Sequence, residues 1–289
     1  MIIKPFSKVK TERQDGAIYN GYFFSLNHAG VCTVYEMESL KNYKDKEAAC
    51  FTEFTLDKID LIAPHSNSVV FGNKFYDEKD EFPLLYTNIY NNYSESENKL
   101  VGVCLVYRLQ KTEKSFKSTL LQIIEIGFTE DKKLWKSEGE KEDVRPYGNF
   151  AVDTENDKFY AFTMRDNTQT TRFFSFEVPK IGDGEMSPEY GAEKVVLKTS
   201  DICDYFDCGY QNYMQGACCH NGKIYSLEGF DSTSGIPPIL RIIDTREKKE
   251  ESVVKFEDFG LDKEPEMISF DKDICYFTNH YGNMYRIDF

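Results

Sequence analysis

A strand–turn–strand unit recurs five times along this chain, the chain is rich in aromatic residues, and clear amphipathic helix periodicity is absent. These three observations predict an all-β fold, a five-bladed β-propeller in which the N-terminal strand closes the last blade. The two clearest copies are Gly16-Ala17-Ile18-Tyr19-Asn20-Gly21-Tyr22-Phe23-Phe24-Ser25-Leu26 and Gly216-Ala217-Cys218-Cys219-His220-Asn221-Gly222-Lys223-Ile224-Tyr225-Ser226-Leu227. Each reads as a short apolar strand, an Asn-Gly turn and an aromatic strand. Asn and Gly both tolerate the positive φ that a two-residue hairpin turn demands. The 23 Phe and 19 Tyr among 289 residues suit pleated, half-buried surfaces.

The units follow in order. The first is the hairpin 16–26, a strand over Cys32 to Met37, and another over Ala49 to Leu56. The second opens with Ser68-Val69-Val70-Phe71-Gly72-Asn73-Lys74-Phe75-Tyr76 and continues through Cys104 to Leu109 and Leu120 to Phe128. The third comprises Phe150 to Phe162, Phe173 to Val178 and Glu193 to Lys198. The fourth comprises 216–227, Leu240 to Asp244 and Glu251 to Phe256. The fifth, Met267 to Phe277 and then Met284 to Asp288, stops one strand short at Phe289. The stretch Ile2 to Lys10 is a spare strand, predicted to fill that edge, where Pro5 and its missing N–H are tolerable. The polar stretches Asn91 to Lys99, Thr129 to Asp143 and Gly182 to Ala192 read as loops. No Pro/Gly/Ser linker divides the chain, so residues 1–289 read as a single propeller domain.

The charge balance narrows the partners. With 35 basic and 49 acidic residues the net charge is -14, which argues against nucleic acid and against an anionic membrane surface. No apolar run approaches the roughly 18 residues of a membrane span, so no membrane insertion is expected. Met1 to Lys10 lacks the apolar core of a signal peptide, which fits either a cytoplasmic protein or one exported after signal removal. A monomer is expected. Five of the eight cysteines lie in apolar strand runs and are expected to be buried free thiols. Cys203-x4-Cys208 followed by Cys218-Cys219-His220 fits no zinc signature, and adjacent strand residues point to opposite faces, so no metal is expected there. No Gly-rich phosphate cradle and no nucleophile elbow is present, and no cofactor is expected.

Candidate site residues come from the ring geometry. The inner strand of each blade lines the centre of a propeller, and the residues just before it stand at one mouth. Those positions hold Gln14 and Asp15; His65 and Asn67; Arg145, Tyr147 and Asn149; Tyr213 and Gln215; Glu264 and Glu266. Asp15 and Asn149 are also ordinary turn formers, whereas Tyr, Gln, His and Arg are not. The expected ligand-binding cluster is therefore His65, Asn67, Arg145, Tyr147, Gln215, Glu264 and Glu266. This mixture of amide, imidazole, guanidinium, phenol and carboxylate suits a polyhydroxylated ligand. Glu264 and Glu266 flank Pro265 as a carboxylate pair, and with Glu228 they are the candidate catalytic residues, since glycoside hydrolysis needs two carboxyl groups roughly 5–10 Å apart. His28, His220 and His280, which follow or lie in hairpins, are expected to be solvent-facing or structural.

Several motifs carry a family resemblance. His65-Ser66-Asn67-Ser68-Val69-Val70-Phe71-Gly72-Asn73, Phe82-Pro83-Leu84-Leu85-Tyr86 and Val106-Tyr107-Arg108 resemble uncharacterised propeller proteins of gut-dwelling Bacteroides-type bacteria. Met214-Gln215-Gly216, Arg241-Ile242-Ile243-Asp244 and Glu264-Pro265-Glu266 are similar to a broader group. It comprises the propellers of phage receptor-binding, teichoic-acid-associated and helveticin-type proteins; Met267 stands where that group often has Gly. The resemblance implies a five-bladed propeller and, in some relatives, binding of cell-wall glycan; it implies no established reaction. Three classes of function remain open: a non-catalytic propeller binding a glycan or other cell-surface polymer at the channel mouth, a carbohydrate-active hydrolase or lyase using Glu264, Glu266 or Glu228, and a protein-interaction scaffold. The missing catalytic signature favours binding.

Overall fold

A computed structural model describes residues 1–43, 46–59, 68–89, 103–126, 144–165 and 169–289, with side chains described for all of these except 89, 144–148 and 164–165. The five hairpins become five sheets, the blades of a propeller. Strand β1 (Ile2–Lys8) precedes the first blade, which is β2 (Gly16–Tyr19), β3 (Tyr22–Leu26), β4 (Val31–Glu36) and β5 (Thr52–Thr55). The second holds β6 (Val69–Phe71), β7 (Leu85–Ile89), β8 (Val103–Lys111) and β9 (Phe116–Ile126). The third begins β10 (Val144–Asp153), β11 (Lys158–Arg165), β12 (Thr170–Glu177); after the detour β13 (Glu185–Ser187) and β14 (Ala192–Leu197) it ends with β15 (Asp204–Gly209). The fourth is β16 (Met214–His220), β17 (Lys223–Glu228), β18 (Ile239–Asp244) and β19 (Lys249–Lys255); the fifth is β20 (Pro265–Asp271), β21 (Ile274–Asn279) and β22 (Asn283–Asp288).

The local signals act as their chemistry dictates. Asn20 and Gly21 have φ of 47° and 78°, and Asn221 and Gly222 have 52° and 70°, so each turn uses positive φ at both central residues. Strand β1 pairs antiparallel with β22, Ile2 opposite Asp288, and supplies the missing outer strand of the fifth blade. The first and last strands of the chain thus share one sheet.

Three elements differ from the sequence reading. Within Gly182 to Ala192, expected to be a loop, Glu185–Ser187 form β13, which pairs antiparallel with β14; the expected loops Asn91 to Lys99 and Thr129 to Asp143 lie outside the described residues. Lys74-Phe75-Tyr76 is not a returning strand: β6 pairs with β7, Val69 opposite Thr87, and residues 72–84 form a connection between them. That excursion is tied down where Arg108 grips Asp80 in a bidentate pair (Nη2–Oδ1 2.6 Å, Nε–Oδ2 2.9 Å) and where Phe82 enters the core. The stretch Glu193 to Lys198 does form a strand, but β14 runs parallel beside β9 and makes the second sheet six-stranded. Gln122 Nε2 donates to the Lys180 carbonyl at 2.7 Å and Lys194 pairs with Glu125, which hold the chain on that edge. The outer strand of the third blade is instead β15.

The apolar faces pack between neighbouring blades. Between blades one and two, the Phe24 ring lies 5.0 Å from Phe116, 5.3 Å from Phe71 and 5.5 Å from Phe82, all near-perpendicular. Such pairs contribute about 0.5–1.5 kcal/mol each beyond their buried area. All eight cysteines are unpaired thiols; Cys32, Cys104, Cys208, Cys218 and Cys275 are buried, and Cys50 and Cys203 are exposed. Among the described residues no helix is long and apolar enough to cross a membrane.

The inner strands β2, β6, β10, β16 and β20 meet at the axis, where polar side chains cross from blade to blade. Asp15 is fully buried: Oδ1 accepts the Gly16 N–H at 2.7 Å, Oδ2 accepts the Val69 N–H at 2.7 Å, and the Ile268 N–H also donates to the carboxylate. Ser68 Oγ donates to the Phe150 carbonyl at 2.5 Å and lies 3.3 Å from that of Ala217. Asn149 Nδ2 donates to the Gln215 carbonyl. All five blades are stitched by these contacts. Gly216 permits the approach: a Cβ there would lie 2.9 Å from Asp15 Oδ1 and closer still to the Glu266 carbonyl.

Two outcomes follow. Deleting residues 1–10 exposes the β22 edge, and the melting temperature is expected to fall by at least about 5 °C, the equivalent of 1–2 kcal/mol at this size; an unchanged melting temperature contradicts closure by β1. Gly216→Ala overpacks the axis and is expected to cost about 1–3 kcal/mol in denaturant unfolding.

Candidate functional site

Among the described residues, the fifth and fourth blades supply a polar cluster at the mouth where the inner strands begin. Glu264 and Glu266 stand two residues apart at the start of β20, and the ladder to β21 shifts register between Pro265 and Met267, a bulge that falls on Glu266. Past the Pro265–Asn279 pair, the His280 N–H donates to the Glu264 carbonyl at 2.9 Å, so the hairpin brings the imidazole over both carboxylates. His280 Nδ1 lies 3.2 Å from Glu266 Oε1 and 4.0 Å from Glu264 Oε2. From β16, Gln215 Nε2 donates to Glu264 Oε1 at 2.7 Å and to the Gly229 carbonyl at 3.3 Å.

Depth grades across the cluster. Glu266 is buried, Glu264 is partly buried, and the His280 side chain is 41% exposed. Aromatic rings rim the opening. Tyr213 and Phe230, both exposed, lie 5.6 Å apart beside Gln215, and exposed Tyr281 sits 5.7 Å from the His280 ring. Burial pushes the Glu266 carboxyl well above the usual carboxylate range, and the Glu264 charge adds to it. Burial also raises Glu264, against the pull of His280 and of the Gln215 hydrogen bond. Asp15 is raised by burial and by the Glu266 charge, although its backbone donors oppose the shift.

Of the expected site residues, Gln215, Glu264 and Glu266 come together. His65 and Asn67 lie outside the described residues, and Arg145 and Tyr147 sit on the backbone of β10 with side chains outside them. Glu228 does not join the cluster. It is fully buried, with its oxygens 2.9 and 3.0 Å from Arg241 Nε and Nη2 and one of them also accepting the Gln211 N–H at 2.6 Å. Asp15 and Asn149 serve the axis, Asn149 from within β10 and not from a turn. His280 is a site residue that sequence reasoning assigned to solvent or structure; the hairpin register, carried three residues past Phe277, is the signal that finds it. His28 is exposed, and His220 stacks on Phe270 at 4.0 Å. His220 lies at the opposite mouth, where the inner strands end around a cavity of about 410 Å³ lined by Tyr19, Phe71, Val152, Cys219 and Phe270 among others.

No family model matches the chain, and no curated protein does. Among solved structures it is similar to a glutaminyl cyclase of Myxococcus xanthus, at 11% identity and a TM-score of 0.51 over 100% of this chain and 96% of that one. It is also similar to the PQQ-bound aldose sugar dehydrogenase of Streptomyces coelicolor, at 10% identity and a TM-score of 0.50 over 99% of this chain and 97% of that one. At this identity the likeness is one of fold.

The buried carboxyls set a pH dependence. Asp15, Glu264 and Glu266 have folded pKa values raised above their unfolded ones, so between those values the folded chain binds more protons than the unfolded chain. Stability then falls as pH rises through that window. Thermal unfolding is expected to show a higher melting temperature on the acid side of neutrality, above the ordinary carboxylate range, than at alkaline pH. The slope should be shallower in Glu266→Gln. A melting temperature that climbs with pH across the window contradicts the assignment.

Proposed function

We propose that the protein is a non-catalytic propeller that binds a glycan, or a glycan-bearing cell-surface polymer, at the mouth formed by Gln215, Glu264, Glu266 and His280. The observation that carries this reading is the pairing of that polar cluster with the exposed rings of Tyr213, Phe230 and Tyr281. Sugar hydroxyls both donate and accept, so a set of carboxylate, amide and imidazole groups matches them, while aromatic rings pack on the apolar face of a pyranose. Convergent polar groups beside apolar surface are the usual make-up of a binding site. The carboxylates and the net charge of -14 select against phosphorylated or sulfated chains and in favour of neutral or amino-bearing sugars. The resemblance to propellers of which some bind cell-wall glycan supports a glycan as the ligand.

A glycan array probed with the labelled protein tests the reading. Binding is expected to neutral or amino-sugar glycans, weakened roughly 5–150-fold in Tyr213→Ala and Gln215→Ala, the equivalent of 1–3 kcal/mol for a polar partner left unpaired. Absence of binding, or binding indifferent to both substitutions, overturns it.

One observation favours a second reading. Carboxylate oxygens of Glu264 and Glu266 lie within 4.8 Å of each other, close to the separation of about 5–5.5 Å in retaining glycosidases, and burial pushes the Glu266 carboxyl well above its ordinary range, in the direction a general acid needs. Under that reading glycans that bind are also cleaved, and Glu266→Gln abolishes release of reducing ends while leaving binding intact.

A further inference from the structure

The Glu264–Glu266–His280 cluster has a property that sugar binding does not require. Glu266 and Glu228 are both buried glutamates, yet they are partnered differently. Glu228 is held by the Arg241 guanidinium through both oxygens. The Glu266 side chain is 3% exposed; among the described residues its one hydrogen-bond partner is His280 Nδ1, at Oε1, and no Lys or Arg pairs with it. Its second oxygen has no protein partner among them. Buried carboxylates are ordinarily paired with a cation or ligate a metal.

We infer that Glu264, Glu266 and His280 form a site for one divalent transition-metal ion of the zinc class, with coordination positions left open toward the mouth. The three ligand atoms all lie within 4.8 Å of one another, and the Glu266 Oε1–His280 Nδ1 pair is at 3.2 Å. Tetrahedral ligands at zinc-like bond lengths stand about 3.4 Å apart, so small side-chain rotations complete the geometry. Imidazole selects zinc, iron or nickel over calcium and magnesium, which prefer an all-oxygen shell of six or more ligands. Three protein ligands with one side open to solvent is the arrangement of zinc sites that also take a water or substrate. The surroundings already fix the ligands: Gln215 Nε2 holds Glu264 Oε1, and the His280 N–H holds the Glu264 carbonyl. Outer partners of this kind orient metal ligands. The inference does not depend on the glycan reading.

The test uses chelator-stripped, full-length protein and cobalt(II) alone. One equivalent is expected to bind per chain, with the visible bands of a tetrahedral nitrogen–oxygen site and no thiolate-to-cobalt charge transfer, which separates this site from the eight cysteines. Glu266→Gln and His280→Ala should each abolish that spectrum, and Gln215→Ala should weaken binding roughly 10–100-fold. Circular dichroism without metal checks the fold of each variant; His280 is half-exposed, so His280→Ala carries the test if Glu266→Gln does not fold. Cobalt that fails to bind, that shows the thiolate band, or that binds the folded variants as it binds the wild type overturns the inference.

Discussion

The buried Asp15 carboxylate is the constraint on which the rest of the propeller turns. Where inner strands crowd toward an axis, their backbone N–H groups have no neighbouring strand to pair with, and an unsatisfied buried N–H costs about 1–3 kcal/mol. Asp15 meets this need for Gly16, Val69 and Ile268, which belong to the first, second and fifth blades. A carboxylate is suited to the task because it accepts several bonds and donates none. Ser68 and Asn149 extend the same solution to the third and fourth blades with shorter reach. The closing strand β1 completes the ring from the outside, but the axis is where the blades are held in register with one another.

That solution shapes the chemistry of the two mouths. The plug of polar contacts at the axis separates an acidic, aromatic-rimmed opening from a cavity of mixed polarity at the far end. It also places a buried carboxyl beside Glu266, whose own burial already disfavours its charge. Acidic groups that repel one another at close range are stabilised by protons, by a cation or by hydrogen-bond donors from a ligand. The proposed glycan and metal readings are two ways in which that requirement is met, and Gln215 and His280 are the groups that aim the carboxylates toward the opening. Glu228, equally buried, shows the alternative, in which a guanidinium from the next strand satisfies the charge and no chemistry is left over.

The fold was legible because its determinants are local. Asn20-Gly21 and Asn221-Gly222 specify their turns by backbone freedom alone, and the spare strand at Ile2 follows from a fifth unit that is one strand short. The departures are those that depend on distant pairing. Nothing near β14 announces that it joins β9, because strand-to-strand partnership across sheets depends on where the loops lead; nor does Gly72-Asn73 show that its hairpin opens into an excursion held by Arg108 and Asp80. The candidate site was half legible. The residue before each recurring sequence unit is Asp15, Asn67, Asn149, Gln215 or Glu266, polar in every unit, and among the described ones Asp15, Asn149 and Gln215 make contacts that cross the axis. Periodicity alone does not distinguish a residue that plugs the axis, such as Asp15, from one that faces the opening, such as Glu264. His280 escaped because its position is set by the register of a hairpin and not by a motif.

Native-state hydrogen exchange read at Gly16, Val69 and Ile268 tests the central claim most directly. If one carboxylate ties the three blades together, these amides, though far apart in sequence, exchange only through global unfolding and share a single opening free energy equal to that of the whole chain. Exchange of the three at different and lower free energies, each with its own blade, would contradict the account.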